Sequence, residues 1–224
     1  MKICIMSDLH GILPNIEPCD LVLIAGDIVP LHEQRSYPKS EDWFYITFSK
    51  WIENLPCNKV LITAGNHDFY LERCPFPKVN ISEWTKGKCE YLQDEKFIYN
   101  NKVIWGTPWV HKFGNWAFML EDEGLTKKYE LIPKNIDILF CHDTPNIGDL
   151  SILPPNKWSS VEVNAGNNPL AEAICKARPR YVFCGHLHKC KSKYFNINST
   201  IEIYNVSLLD NEYRFIYEPL YLDI

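Results

Sequence analysis

Val60-Leu-Ile-Thr-Ala-Gly-Asn-His-Asp-Phe69 is the stretch that decides how the rest of the chain is read. Residues 60–63 are apolar or β-branched and predict a short buried strand. Ala64-Gly65 breaks the run, and Gly65 permits a turn where a larger side chain would clash. Asn66, His67 and Asp68 then set an amide, an imidazole and a carboxylate just past the strand end, where ligands of open α/β sheets collect. Alone, the triplet is an ordinary turn, because Asn and Asp bond their own backbone. The same design recurs four more times along the chain, and that changes the reading.

Residues 2–6 predict a strand ending in Ser7-Asp8-Leu9-His10-Gly11, and residues 21–25 a second ending in Gly26-Asp27. A helix is expected over 41–55, where Phe44, Phe48, Trp51, Ile52 and Leu55 keep helical spacing; Ser40 can cap it and Pro56 ends it. Strand, crossover helix and strand imply parallel pairing with a right-handed connection. Cys74-Pro75-Phe76-Pro77 cannot be helix interior. Residues 97–100 and 102–105 read as a hairpin around Asn100-Asn101, leading into Gly106-Thr107-Pro108-Trp109. A helical region over 120–131 closes at Pro133, and a strand over 136–141 ends in His142-Asp143. The proline-bearing stretch 144–167 is long enough to be functional or mobile. Asn168 is the expected cap of a short helix with Pro169 at its first position. A strand over 181–184 precedes Gly185-His186-Leu187-His188, and alternation over 200–204 and 213–217 predicts antiparallel strands. The pattern is α/β in class, one domain over 1–224, with parallel βα units closed by an antiparallel tail.

Five strand ends therefore carry Asp8 and His10, Asp27, Asn66-His67-Asp68, His142, and His186 with His188, using five of the seven histidines. Asp8-x-His10 and His186-x-His188 place pairs on one side of an extended terminus, since side chains repeat with period two. Mixed oxygen and imidazole donors suit Mn, Fe or Zn. The set is too large for one tetrahedral ion and fits two divalent metal ions sharing a carboxylate. Such ions, about 3.5–4 Å apart, clamp the attacking and leaving oxygens of a displacement at phosphorus and lower the pKa of bound water towards about 7.

Asp8-Leu9-His10, Gly26-Asp27, Gly65-Asn66-His67-Asp68, His142 and Gly185-His186-Leu187-His188, in this order, resemble the signature of the calcineurin-like metallophosphoesterases. The resemblance implies two mixed β-sheets packed as a sandwich flanked by helices, a four-layer αββα fold with a dinuclear site at its rim. It implies Asp8, His10 and His188 on one metal, Asn66, His142 and His186 on the other, and Asp27 as the bridge. His67 would face the phosphate and protonate the leaving oxygen, with Asp68 orienting its imidazole. Gly106-Thr107-Pro108-Trp109, Trp116-Ala117-Phe118, the Pro-rich loop after His142 and Arg178-Pro179-Arg180 are further similar to small metallophosphoesterase-domain proteins, some of which hydrolyse cyclic nucleotides weakly. Asp143-Thr144-Pro145 departs from the pattern, since relatives often have a small residue and two prolines there.

The apolar run 3–6 meets Ser7-Asp8 too early for a signal peptide, and nine cysteines without CxxC spacing suit a reducing cytoplasm. No membrane partner is expected. A net charge of −5 offers no basic face to duplex nucleic acid. Cys184 and Cys190 lack the second pair that a structural zinc site requires. The Trp105, Trp109 and Trp116 cluster reads as core, with Trp109 and His111 as candidate substrate contacts beside the site. The expected activity is a metal-dependent phosphodiesterase on a small-molecule phosphate ester such as a nucleotide. A phosphomonoesterase or nuclease would use the same site, and a silent interaction module would show eroded ligands. The sequence sets no oligomeric state.

Overall fold

The computed structural model describes residues 1–73, 80–155 and 159–224. Cys74-Pro75-Phe76-Pro77 and part of the 144–167 stretch lie outside them. In one sheet, Lys2–Met6, Cys19–Ala25, Cys57–Thr63 and Cys89–Tyr91 run parallel in that order, and Leu220–Asp223 lies antiparallel on the outer side of Lys2–Met6. The other sheet runs Tyr194–Ile197, Ile201–Asn205, Tyr181–Cys184, Ile138–Cys141, Lys102–Thr107 and Glu95–Tyr99; its two outermost pairings are antiparallel and the inner ones parallel.

Alternation along a single strand shows why the layers stack. Ile3 and Ile5 share a core with Ile104, Ile138, Phe140 and Phe183 of the other sheet. Cys4 and Met6, on the opposite face, share one with Phe44, Phe48 and Ile52 of the crossover helix. Beyond the second sheet, Leu139, Cys141, Val182 and Cys184 pack with Leu125 and Tyr129 of helix Asp122–Tyr129 and with Leu170 and Ile174 of helix Asn168–Ala177. The order is helix, sheet, sheet, helix. Strands buried on both faces lose their polar alternation, which is why they read as apolar runs.

Several boundaries differ from expectation, each for a local reason. The crossover helix starts earlier, its turns Tyr37–Asp42, Trp43–Phe48 and Ser49–Asn54 following without a break, the middle one π-helical. Pro38 sits in the first turn, where its missing N–H costs nothing. Ser40 is therefore inside the helix and donates its hydroxyl to Glu33 O at 2.9 Å instead of capping. In the later helix the cap is Asn167, one residue before the expected Asn168; its Oδ1 accepts the Leu170 N–H at 2.9 Å. The Asn100-Asn101 turn has φ of +47° and +60°, the pair of left-handed residues that a tight hairpin needs.

The 213–217 stretch is not a strand. It makes one isolated bridge, Leu209 to Phe215, and leaves Tyr213, Phe215, Ile216 and Tyr217 between 39% and 51% exposed. Tyr213, Arg214, Ile216 and Tyr217 line a cavity instead of pairing, and the antiparallel closing strand is Leu220–Asp223. Among the described residues no helix is long and apolar enough to cross a membrane. What matters for the site is direction: the parallel strands of each sheet finish at one rim, where Ser7 N–H meets Val206 O and Gly185 N–H meets His142 O, both at 3.0 Å.

Candidate active site

At that rim the backbone leaves extended geometry abruptly. Asp8, His10, Asp27 and His186 all have positive φ, from +43° to +65°. Non-glycine residues adopt this region rarely, and such strain concentrates where a side chain must point a particular way. Gly26, at φ +90°, precedes Asp27; a Cβ there would lie 2.6 Å from Ala64 O and 2.7 Å from His142 Nδ1. At Gly65 a Cβ would lie 2.6 Å from Asp27 N. The glycines beside Asp27 and Asn66 thus let two strand-end loops close against each other.

Asp27 is the hub. Its Oδ2 lies 3.3 Å from His142 Nε2, 3.6 Å from His10 Nε2 and 3.8 Å from His67 Nε2, while Oδ1 accepts the His67 N–H at 2.7 Å. Asp8 Oδ1 lies 3.1 Å from His188 Nε2. Asn66 Oδ1 lies 3.0 Å from His142 Nε2. Three groups have candidate ligand atoms within 4.8 Å of one another: Asp8, His10 and His188; Asp8, Asp27 and His142; His10, Asp27 and His67. His186 joins none of them directly, and its ring packs 5.3 Å from that of His142.

The surroundings aim these donors. His142 Nδ1 donates to Ala25 O at 2.8 Å and His188 Nδ1 to Asp210 O at 2.9 Å, so each turns its Nε2 edge toward the carboxylates, where a cation would replace the Nε2 proton. His10 is 8% exposed and neither ring nitrogen has a hydrogen-bond partner. A buried imidazole in that state lacks a partner that a cation would supply. Burial pushes His10 and His186 down to about 4, leaving both neutral and able to donate a lone pair. Burial acts the same way on His142, but Asp27 beside it wins and lifts it to about 10. Asp8 and Asp27 are buried too, yet the imidazoles around them hold both below the usual carboxylate range. Buried charged oxygens and imidazoles set this close form a donor set that fits divalent cations.

Two expected roles need correction. Asp68 does not reach the His67 ring. Its Oδ2 accepts the Gly65 N–H at 2.8 Å and its Oδ1 those of Ile28 and Val29 at 3.0 and 3.1 Å, so it ties the Asp27 loop to the Asn66 loop. The partner of His67 Nδ1 is Gln34 Oε1, and Trp116 stacks on the ring at 4.5 Å. Trp109 does not line the cavity either: its Nε1 donates to Asp94 Oδ2 at 2.8 Å, and Lys128 Nζ lies 4.2 Å over its ring. His111 is on the cavity wall, held by Asp143 Oδ2 at 2.9 Å. Trp116 could have been found through Asn115-Trp116 only by knowing that this loop folds back over His67; Gln34 carried no signal.

Strand-end carboxylates and imidazoles at the rim of two stacked sheets mark one class, the metallophosphoesterases. Residues 1–190 match the model of the calcineurin-like phosphoesterase family, and the chain belongs to it. Human metallophosphoesterase domain-containing protein 1 is 26% identical over 249 residues, spanning 99% of this chain and 70% of that protein. A UPF0046 protein of Caenorhabditis elegans is 34% identical over 204 residues, 79% of this chain and 48% of its own length. Among solved structures, TT1561 of Thermus thermophilus shares the fold, with a TM-score of 0.57 at 12% identity over 99% of this chain and 98% of that one.

The Asp68 result predicts a stability phenotype. Asp68→Ala leaves three buried N–H groups without an acceptor, at about 1–3 kcal/mol each. Denaturant midpoints should fall by the equivalent of several kcal/mol; a midpoint within experimental error of the parent would show that the clamp is dispensable.

Proposed function

We propose that this protein hydrolyses phosphate esters with two divalent cations, and that small-molecule phosphodiesters such as nucleotides are its substrates. The observation that carries this reading is Asp27, whose one oxygen faces three imidazoles at 3.3–3.8 Å between two further donor sets. On this reading Asp8, His10 and His188 hold one ion, Asn66, His142 and His186 the other, and Asp27 serves both. When bound, Mn, Fe or Zn supplies Lewis acidity toward the phosphoryl oxygens and acidifies water.

His67 is left for proton work. Its Nδ1 donates to the Gln34 amide oxygen, so the Nε2 edge faces the centre. Burial lowers the ring's pKa, and it is as the imidazolium, beside an anionic phosphate, that it can pass its Nε2 proton to the leaving oxygen. Stacking on Trp116, with Arg35 Cζ 4.7 Å from the same indole, keeps the ring from rotating away. The adjoining cavity, about 980 Å³, is far larger than a phosphate and matches the range of small-molecule sites. Phe113, Trp116, Tyr213 and Tyr217 line it, which favours an ester with a flat apolar group over a bare monoester. A nuclease would need a basic groove to track the phosphate backbone, and the acidic balance of the chain supports the small-molecule reading over it.

The direct test loads the protein with manganese or zinc and assays aryl phosphodiesters, aryl monoesters and cyclic nucleotides side by side. Turnover of the diesters is expected, and metal-loaded protein inert to every ester would overturn the reading. His67→Ala should keep its metal while kcat falls by about 10²–10⁴; loss of metal in equal measure would make His67 a ligand. Asp27→Asn should weaken both ions together in elemental analysis. Loss of one ion alone would remove Asp27 as the bridge.

A further inference from the structure

The strands that finish at Asp27 and at Asn66-His67 begin, at the far end of the same sheet, with a pair of thiols. Cys19 and Cys57 are register partners on adjacent parallel strands. Register partners leave a sheet on the same face, and neighbouring strands lie roughly 4.7–4.9 Å apart. That spacing falls inside the Cα separation of about 4.4–6.8 Å that a disulfide spans. Both cysteines are free and half-buried, and both pack against the core under the crossover helix.

The surroundings single out Cys19 as the reactive member. Cys4 and Cys57 stand beside its thiol, and these contacts lower the Cys19 pKa while they raise those of Cys4 and Cys57, although burial acts the other way at Cys19. Lys2 adds a favourable charge and Asp20 an opposing one at Cys19; at Cys57 the Cys19 contact and burial raise the thiol, and Lys88 opposes them only in part, so Cys57 is the resolving member. Lys2 is itself paired with Glu17 at 2.8 Å, and Lys88 Nζ donates to Leu55 O at 2.6 Å, which anchors it beside the Cys57 strand start. Partial exposure, positive neighbours and an adjacent second thiol are the marks of a redox-sensing pair. Cys89, Cys141 and Cys184 offer the contrast: each is fully buried, and burial pushes its thiol up into an inert state. Cys4 is also fully buried and is paired in register with Val22, not Cys19, so it supports the Cys19 sulfur without being the natural bonding partner.

We propose that Cys19 and Cys57 form a reversible disulfide in response to peroxide. The Cys19 thiolate attacks one oxygen of hydrogen peroxide; the O–O bond breaks, and the departing hydroxide takes up a proton to become water. Cys19 is then a sulfenic acid. Cys57 gives up its proton and attacks that sulfur; the S–S bond forms, the S–O bond breaks, and the second hydroxide leaves as water. Two thiols and one peroxide become one disulfide and two waters. A small-molecule thiol reverses the bond by exchange.

The full chain is treated with hydrogen peroxide at a few equivalents, alkylated, digested and mapped by mass. A linked peptide pair joining Cys19 to Cys57, lost on treatment with reduced glutathione, is the expected result. Cys57→Ser should accumulate a dimedone-reactive sulfenic acid at Cys19, and Cys19→Ser should slow oxidation of Cys57 by roughly ten-fold or more. Metal content of each variant, read a whole strand away from the substitution, reports whether it folds, and mapping of the parent chain decides the matter if a variant does not. Cys19 and Cys57 remaining alkylatable, or linkage of a different pair, would overturn the proposal.

Discussion

A charged carboxylate buried away from water must be held by hydrogen bonds and imidazoles, and Asp27 is that carboxylate. It is 2% exposed, takes one backbone N–H and faces three imidazoles. Removing an ionised group from water is costly unless partners replace the hydration. The rim of both sheets is arranged to supply them. Positive φ at Asp8, His10, Asp27 and His186 turns side chains inward where extended backbone would splay them, and glycines at 26 and 65 let the loops approach.

A second buried carboxylate lies only a loop away and does the opposite job. Asp68 spends both oxygens on three backbone N–H groups, which leaves it no free lone pair aimed at the centre. Asp27 spends one oxygen on the backbone and keeps the other for the imidazoles. Two acids of equal chemistry are thus separated in role by how many N–H groups reach each. The saturated one fixes the loops; the unsaturated one is open to a ligand. Burial and the charge of Asp27 push the Asp68 carboxyl up to about 7, so the N–H clamp is what opposes its neutralisation.

Legibility followed the same division. The strands were readable because burial on both faces makes an apolar run, and the donors because each lies just past such a run. The hairpin at Asn100-Asn101 was readable from its turn chemistry. Gln34 and Trp116 were not, since both meet His67 through space from loops with no period of their own. Asp68 misled because adjacency to His67 in sequence suggested contact, while the turn carries its side chain back to residues 28 and 29. Tyr213 to Tyr217 misled for a related reason: alternation of large side chains suggested a paired strand, whereas Phe215 alone makes a bridge and Tyr213, Arg214, Ile216 and Tyr217 face a cavity.

Asp143-Thr144-Pro145 shows how a departure from a motif is absorbed. Where two prolines would stiffen a loop by fixing φ, this chain uses a fully buried carboxylate. Asp143 accepts the backbone N–H of His111 and its Nδ1, both at 2.9 Å, the Thr144 N–H at 2.9 Å, and Asn167 Nδ2 at 2.7 Å. Asn167 in turn caps the helix Asn168–Ala177, so one acid joins the strand end at His142, the cavity wall at His111 and a helix start. The Asp143 bond holds the His111 imidazole above its ordinary pKa and directs it into the cavity close to His186. The residue that departs from the expected motif therefore fixes the loop and holds a polar side chain, His111, on the cavity wall.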